Sequence, residues 1–301
     1  ATRAARMRDV AGAEATLLEF GTRRAFSPQA SLWAARAALA AGLDATSNVL
    51  AAVRLGQKPS GTMAHSLVMA LAATAGSEAE AFTAFHRYFP GAPLLIDTYD
   101  TIAAAQSLAE SIQSGKMQLA GVRIDSGDLL TLSQQVRSLL PGVPIFASGD
   151  VDEWEIARLK ASGACIDGYG LGTRLVTGAP VNGVYKLVEI DGIPVMKESS
   201  GKMTYPGRKQ IFRHVETLHG TSLHGTSVQC DRLGLITENP RSGEQPLLQM
   251  VMQGGKIIQP PEAIAQIRQR TAATVESLPT QCRQLDNPTT VEVQISAALQ
   301  E

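Results

Sequence analysis

A short apolar run that breaks into a polar turn, glycine-bearing in three cases, and then into a helical pattern occurs four times in succession along this chain. Pro93-Leu94-Leu95-Ile96 gives way to Asp97-Thr98-Tyr99-Asp100, and the strand-like run at Gly121-Val122 closes on Arg123-Ile124-Asp125-Ser126-Gly127-Asp128. Val143 to Ala147 gives way to Ser148-Gly149-Asp150, and Cys165 to Tyr169 to Gly170-Leu171-Gly172-Thr173. Helical patterns follow at Ile102 to Ser114, Leu129 to Leu140 and Glu153 to Ser162, the last two closed by Pro141-Gly142 and Gly163. A strand-turn-helix unit repeated at roughly 25-residue spacing predicts a parallel α/β sheet or barrel. Such folds build their sites from the loops at the carboxyl ends of the strands. Here those loops carry the acids, glycines and hydroxyls.

The rest of the chain narrows the function. With 301 residues and 44% hydrophobic content it can bury a full core as a soluble globular protein. The formal net charge of -1 provides no field to attract nucleic acid or an anionic membrane, which points to small-molecule partners. No apolar run approaches the ~20 residues of a membrane span, and residues 1–20 lack the order of a secretory signal, so the expected address is the cytoplasm. Cys165, Cys230 and Cys282 form no CxxC pair and read as reduced thiols.

Ahead of the first repeat, Ala1 to Leu17 reads as a helix and residues 28–90 as an Ala-rich helical block. Ser27 with Pro28 is an N-cap followed by a first helical proline, and Ser77 with Glu80 a capping box. Beyond Gly178 the pattern turns to alternating strands. Val184 to Ile190, Asp191-Gly192 and Ile193 to Lys197 read as a hairpin. Strand-like runs at Gln210 to Val215, Gly225 to Cys230, Leu233 to Thr237 and Leu247 to Gln253 precede a helix from Pro261 to Ser277. The expected organisation is a helical block plus a βα catalytic core over 1–180, and a β-rich region with a C-terminal helix over 181–301.

Arg123 and Asp125 alternate on the strand and so project on one side of its end. They read as an anion-binding Arg beside a carboxylate for hydroxyls or a metal-bound substrate, or as an ion pair at a helix capped by Ser126 or Asp128. The glycines of Gly170-Leu171-Gly172-Thr173 let backbone N–H groups approach a phosphate, with the Thr173 hydroxyl as a further donor. It is neither a Rossmann fingerprint nor a Walker loop. Glu19-Phe20-Gly21-Thr22-Arg23-Arg24 puts two cations in a turn, and His65 opens a helix after a Gly/Ser/Thr-rich segment. Taken singly, the bland reading suits both. His86, His214, His219 and His224 show no regular metal-ligand spacing.

Together, Glu19 to Ala25, Gly42 to Leu50, Gly61 to Ser66, Leu95 to Asp100, Gly121 to Asp128 and Gly170 to Thr173 resemble the nicotinate phosphoribosyltransferase family, collinearly from about residue 15 to 215. Gly183 to Val188 extends the likeness. The resemblance implies a type II phosphoribosyltransferase fold, an irregular α/β barrel with an additional β-rich mixed domain that is incomplete here, and a homodimer. It implies that nicotinate and 5-phosphoribosyl 1-diphosphate become nicotinate mononucleotide and pyrophosphate in NAD salvage, with Mg²⁺ and with ATP hydrolysed through a phosphohistidine.

Carried over by motif, that histidine is His65, with Asp125 as the second catalytic residue. Thr62 and Arg123 become nicotinate contacts. Thr173, Gly170 and Gly172 become the 5-phosphate site, Asp125 and Asp150 with Gly149 face the ribose hydroxyls directly or through Mg²⁺, and Arg23 lies near pyridine and phosphate. No metal ligand set is assigned. The chemistry suits these residue types. Loss of pyrophosphate builds positive charge on the ribose carbon, which a carboxylate such as Asp125 stabilises. Arg123 matches a carboxylate with a two-point fork, and His65 supplies a nitrogen nucleophile.

The family pattern also includes a long N-terminal portion with an aromatic residue that stacks on the nicotinate ring, and nothing here matches it. The expectation is that these 301 residues alone turn over little substrate. Rival readings are the nicotinamide-specific relative, which Gly61-Thr62 before Met63-Ala64-His65 disfavours, and a non-catalytic paralogue that binds ligand or partner only. A βα-barrel lyase or aldolase would need a catalytic Lys at a strand end, and none is present.

Overall fold

A computed structural model describes residues 1–179, 183–199, 201, 203–217 and 226–300. Residue contacts divide it into two units, Ala1–Gly178 with Ile264–Ala272, and Ala179–Ala263 with Ala273–Glu301.

The first unit runs α1 (Thr2–Ala11), β1 (Thr16–Glu19), a 3-10 turn at Thr22–Arg24, α2 (Pro28–Ala40), β2 (Ala45–Thr46), α3 (Val49–Arg54), α4 (His65–Ala75) and α5 (Glu78–Tyr88). Then come β3 (Leu94–Leu95), α6 (Thr101–Gln113), β4 (Val122–Ile124), α7 (Leu129–Leu139), β5 (Ile145–Ala147), α8 (Glu153–Ala161), β6 (Gly168–Leu171) and α9 (Thr173–Val176). The six strands are parallel in the order β2-β1-β6-β5-β4-β3. Their side chains fill the core from both faces, with Leu17, Leu94, Leu95, Val122, Ile124 and Ile145 all buried. That suits a parallel sheet flanked by helices.

The extended segment between α3 and α4 spans the two edge strands. Ser60 N–H donates to Thr46 O on the β2 side, and Thr62 Oγ1 donates to Pro93 O just before β3. These bonds occupy edge groups that would otherwise be open to pairing, and they bring the segment carrying His65 across the sheet. The result is an irregular barrel rather than a flat sheet.

Two expectations give way here. The helix read over Ala1 to Leu17 ends at Ala11, because Gly12 takes a positive φ of 86° and the next residues pair as β1. The block 28–90 likewise contains β2, so the sheet has two strands more than the repeat displayed. Helix α1 is held by cations: its own Arg8 donates to Gly42 O, Gly12 O and Ala15 O, and Lys160 Nζ of α8 donates to Val10 O and Ala11 O.

The second unit contains β7 (Glu189–Ile190), β8 (Ile193–Pro194), β9 (Lys209–Thr217), β10 (Thr226–Leu235), β11 (Glu244–Pro246), β12 (Met252–Gln253) and β13 (Lys256–Ile257). Next in the chain is α10 (Ile264–Ser277), whose residues up to Ala272 belong to the first unit, and then α11 (Thr280–Arg283), β14 (Glu292–Ile295) and α12 (Ala297–Gln300) of the second. The Asp191-Gly192 hairpin turn forms, both residues at positive φ, but its strands shrink to two residues each. The two runs expected around 225–237 are one strand, β10, which carries a bulge between Val228 and Cys230. Leu247 to Val251 is not strand. In the four-stranded sheet β11-β9-β10-β14, Arg232 is buried over the Phe212 ring at 4.2 Å and bridges Glu244 and Glu238. Among the described residues no helix is long and apolar enough to cross a membrane. His219 and His224 lie outside the described residues.

Candidate active site

The carboxylates at the strand ends divide by what they do for the backbone. Asp100 caps α6 by accepting from the N–H groups of Ile102 and Ala103, Asp128 caps α7 through Leu130 N–H, and Asp152 caps α8 through Glu155 N–H. Each satisfies an orphan helix donor and so is structural. Asp97 and Asp125 cap nothing. They converge instead on Arg123 and His65.

Arg123 projects from β4 and is buried. Its Nη1 donates to Asp125 Oδ1 at 2.8 Å and to Ser148 Oγ at 3.0 Å, and its Nη2 to Met63 O at 2.8 Å. The Nε–H is buried and has no acceptor among the described residues. Burial pulls the guanidinium pKa down, and the Asp125 and Asp97 carboxylates oppose that shift. Both expected readings of the Arg–Asp motif therefore hold in part: the ion pair exists, Asp128 caps the helix, and a donor is left over.

Asp97 is 3% exposed at its side chain. Its Oδ2 accepts from Asp125 N–H at 2.9 Å and Ser126 Oγ–H at 2.6 Å, while Oδ1 has no hydrogen-bond partner among the described residues. The His65 ring lies between these acids at the N-terminus of α4. Its Nδ1 is 3.1 Å from Thr98 Oγ1, and its Nε2 is 3.7 Å from Asp125 Oδ2 and 3.9 Å from Asp97 Oδ1. The threonine fixes the ring at one nitrogen. The other stands in contact with two carboxylates, too far for a hydrogen bond to either.

The remaining sequence candidates surround this centre. Thr62 commits its hydroxyl proton to Pro93 O at 2.6 Å, which leaves it an acceptor. Arg23 is exposed in the 3-10 turn after β1, near enough to Arg123 to act on its charge. That turn is held from below by Glu19, 1% exposed, which accepts from Thr46 Oγ1 and Gly21 N–H, both at 2.5 Å. Burial raises the Glu19 pKa despite those two bonds.

Gly149 and Asp150 sit beside Asp125 at φ of 90° and 52°. A Cβ on Gly149 would lie 1.9 Å from Asp125 O, so only glycine permits this approach of the β4 and β5 loops. Gly170 is similarly closed, with the Phe20 ring 2.6 Å from its Cβ position. Gly172 is the N-cap of the four-residue α9, and Thr173 is its first residue. Gly149 and Asp150 also line an open polar cavity of about 550 Å³ with Gly127, Asp128, Trp154 and Arg174.

Asp97, Thr98 and Ser148 were quoted in the sequence only as parts of turns. Their position at the end of an apolar run was the available signal, but nothing in it separates a cap from a functional group. Among the described residues no group of three or more His, Cys, Asp or Glu side chains is placed to hold a metal ion.

Six parallel strands closed by an extended segment, an Arg-Asp-His cluster over their carboxyl ends and an additional β-rich unit define the type II phosphoribosyltransferase fold. Residues 15–143 match the model of the nicotinate phosphoribosyltransferase (NAPRTase) family, and 237–301 that of the nicotinate phosphoribosyltransferase C-terminal domain. A Mycobacterium tuberculosis protein named nicotinate phosphoribosyltransferase pncB2 is 40% identical over 282 residues, covering 90% of this chain and 58% of that protein. A Bos taurus nicotinate phosphoribosyltransferase is 32% identical over 385 residues, covering 100% of this chain and 70% of its own length. The crystal structure of human nicotinic acid phosphoribosyltransferase superposes with a TM-score of 0.78 at 27% identity, covering 99% of this chain and 72% of that one. The chain belongs to the nicotinate phosphoribosyltransferase family, and it spans about 58% of the mycobacterial relative's length.

Proposed function

We propose that this site joins nicotinate to 5-phosphoribosyl 1-diphosphate, giving nicotinate mononucleotide and pyrophosphate for NAD salvage, with ATP hydrolysis coupled through a phosphorylated His65. The observation that carries the reading is the buried Arg123 Nε–H without an acceptor. Leaving such a donor unpaired costs about 1–3 kcal/mol, which a carboxylate entering beside it offsets. An anionic ring substituent pairs with the guanidinium charge for charge, a stronger bond than a neutral amide makes to it.

The other groups take roles that fit their surroundings. Asp125 Oδ2, with Oδ1 already engaged, offers negative charge to the ribose carbon as the bond to pyrophosphate breaks. His65 Nε2, with the ring proton held on Nδ1 beside Thr98 Oγ1, attacks the γ-phosphorus of ATP as ADP leaves. Gly170, Gly172 and Thr173 receive the 5-phosphate at the end of β6, Gly149 and Asp150 meet the ribose hydroxyls, and Thr62 and Arg23 flank the pyridine. Mg²⁺, with Asp125 and Asp150 as its protein oxygens, would neutralise charge on the diphosphate.

The same reading assigns a cytoplasmic homodimer. In its support, α4 leaves Leu67 and Met69 exposed, an apolar surface of the kind that subunit contacts cover.

The test is to incubate the purified chain with nicotinate, 5-phosphoribosyl 1-diphosphate, Mg²⁺ and ATP and to follow nicotinate mononucleotide. His65→Ala serves as control and nicotinamide as competitor. Product that falls in the variant and resists the competitor supports the reading. Bound 5-phosphoribosyl 1-diphosphate with no product at all, not even the slow turnover expected of these 301 residues, overturns it for this chain in favour of a ligand-binding paralogue.

A further inference from the structure

Neither the turn motifs nor the family resemblance gives Ser148 a task, yet it is 3% exposed and sits between the two most charged residues of the site. A serine hydroxyl has one proton to give and two lone pairs to offer. The proton goes to Asp125 Oδ1 at 2.5 Å, and a lone pair receives Arg123 Nη1 at 3.0 Å. Arg123 Nη1 reaches the same Asp125 Oδ1 at 2.8 Å, so the three groups close a triangle.

The triangle decides which way Asp125 faces. Oδ1 holds two donors, and the Asp125 N–H is tied to Asp97 Oδ2 at 2.9 Å. With the main chain and one oxygen held, the other oxygen has one direction left, and it stands 3.7 Å from His65 Nε2. Without the serine, Oδ1 would keep a single donor, and the carboxylate could turn about its terminal torsion, which is soft in Asp.

We propose that Ser148 is a positioning residue that locks the Asp125 carboxylate with Oδ2 toward His65 and the reacting sugar. The claim rests on the role assigned above to Asp125. The site also excludes larger side chains: the Cβ position of Gly170 lies 3.3 Å from Ser148 Cβ, so bulk at 148 would meet the β6 backbone. Cysteine, close in size and a weak donor, is therefore the shape-preserving control for alanine.

Ser148→Ala and Ser148→Cys are compared with the parent chain in two ways. In steady-state kinetics, kcat is expected to fall about 10- to 100-fold, the factor carried by a hydrogen bond to an ionised group. The KM for 5-phosphoribosyl 1-diphosphate should stay within about threefold, because the lost contact acts in the transition state rather than in binding. In a crystal structure of Ser148→Ala, the Asp125 carboxylate should be turned so that its oxygen has left His65 Nε2. An unchanged kcat in a folded variant, or a carboxylate still in place, overturns the proposal. If the parent makes no nicotinate mononucleotide, the functional reading fails by itself, and the crystal structure alone then decides whether Ser148 positions Asp125.

Discussion

Gly149→Ala tests how closely the loops after β4 and β5 must approach for the site to exist. The residue has a φ of +90°, and a Cβ there would stand 1.9 Å from Asp125 O, about 1.5 Å short of the 3.4 Å at which ordinary contact begins. The backbone conformation alone costs an L residue about 1–2 kcal/mol. Relieving the overlap by moving either loop adds about 1–3 kcal/mol, the usual range for overpacking. The expected loss is therefore about 2–5 kcal/mol. Gly163→Ala is the matched control, because Gly163 has a φ of +78° with nothing within 4 Å of its Cβ position, so only the backbone cost applies. Urea unfolding followed through Trp154 reads both losses. The Gly149 variant should also form product about 100-fold more slowly, since a shift near 1 Å in Asp125 and Ser148 spoils alignment. Equal destabilisation by the two substitutions would refute the close-approach argument.

Three further outcomes follow from other parts of the molecule. Burial, with Asp100 and Asp97 adding negative charge, pushes the Glu78 carboxyl up to about 7; the folded state then holds its proton more tightly than the unfolded, so stability is greatest below the ordinary value of 4.5 and declines as pH rises to about 7. Glu78→Gln should accordingly raise Tm at about pH 8 and leave it unchanged near pH 4, and a gain of equal size at both would sink the assignment. Arg123→Lys keeps the charge but loses the planar fork, so the KM for nicotinate should rise about tenfold or more while that for 5-phosphoribosyl 1-diphosphate moves little, as parallel initial-rate series would tell. In the second unit, Arg232→Met leaves Glu244, 6% exposed at its side chain, without its bidentate partner; the expected loss is about 3–5 kcal/mol in a denaturation curve, and a neutral result would mean that water reaches the carboxylate.

Much of the barrel was legible before any coordinates because its signals are local. Ser27 caps α2 by accepting from Ala30 N–H, Ser77 caps α5 by accepting from Glu80 N–H, and α7 starts at Leu129 as its pattern required. Strands β3 and β5 lie inside the apolar runs that announced them, while β4 and β6 begin in theirs and run on into the expected turns, to Ile124 and Leu171. The strands that escaped notice, β1 and β2, are four and two residues long. Both fall at or inside segments that read as helix, Ala1 to Leu17 and 28–90, and are strands because a parallel neighbour completes their hydrogen bonds. Leu247 to Val251 failed in the opposite direction: it is apolar enough for a strand, but after Leu247 N–H reaches Ile211 O the backbone of Leu248 is taken by the Gln210 side-chain amide, which interrupts the ladder.

The site divides along the same line. The local pattern already required that acids, glycines and hydroxyls gather at the carboxyl ends of parallel strands, because each helix start after a strand needs a capping residue and each tight turn a glycine. It also determined that Arg123 and Asp125 would lie on one side of β4, since alternation along a strand is a local property. Long-range packing settled which carboxylates cap helices and which do not, since Asp100 and Asp97 belong to one turn yet Asp100 caps the start of α6 and Asp97 meets His65. It alone carried the segment between α3 and α4 across the sheet edges and set Ser148 between Arg123 and Asp125, residues 25 and 23 positions away in the chain. Contacts of that range depend on strand order and on the close approach of backbones, and neither is encoded in the pattern of any single segment.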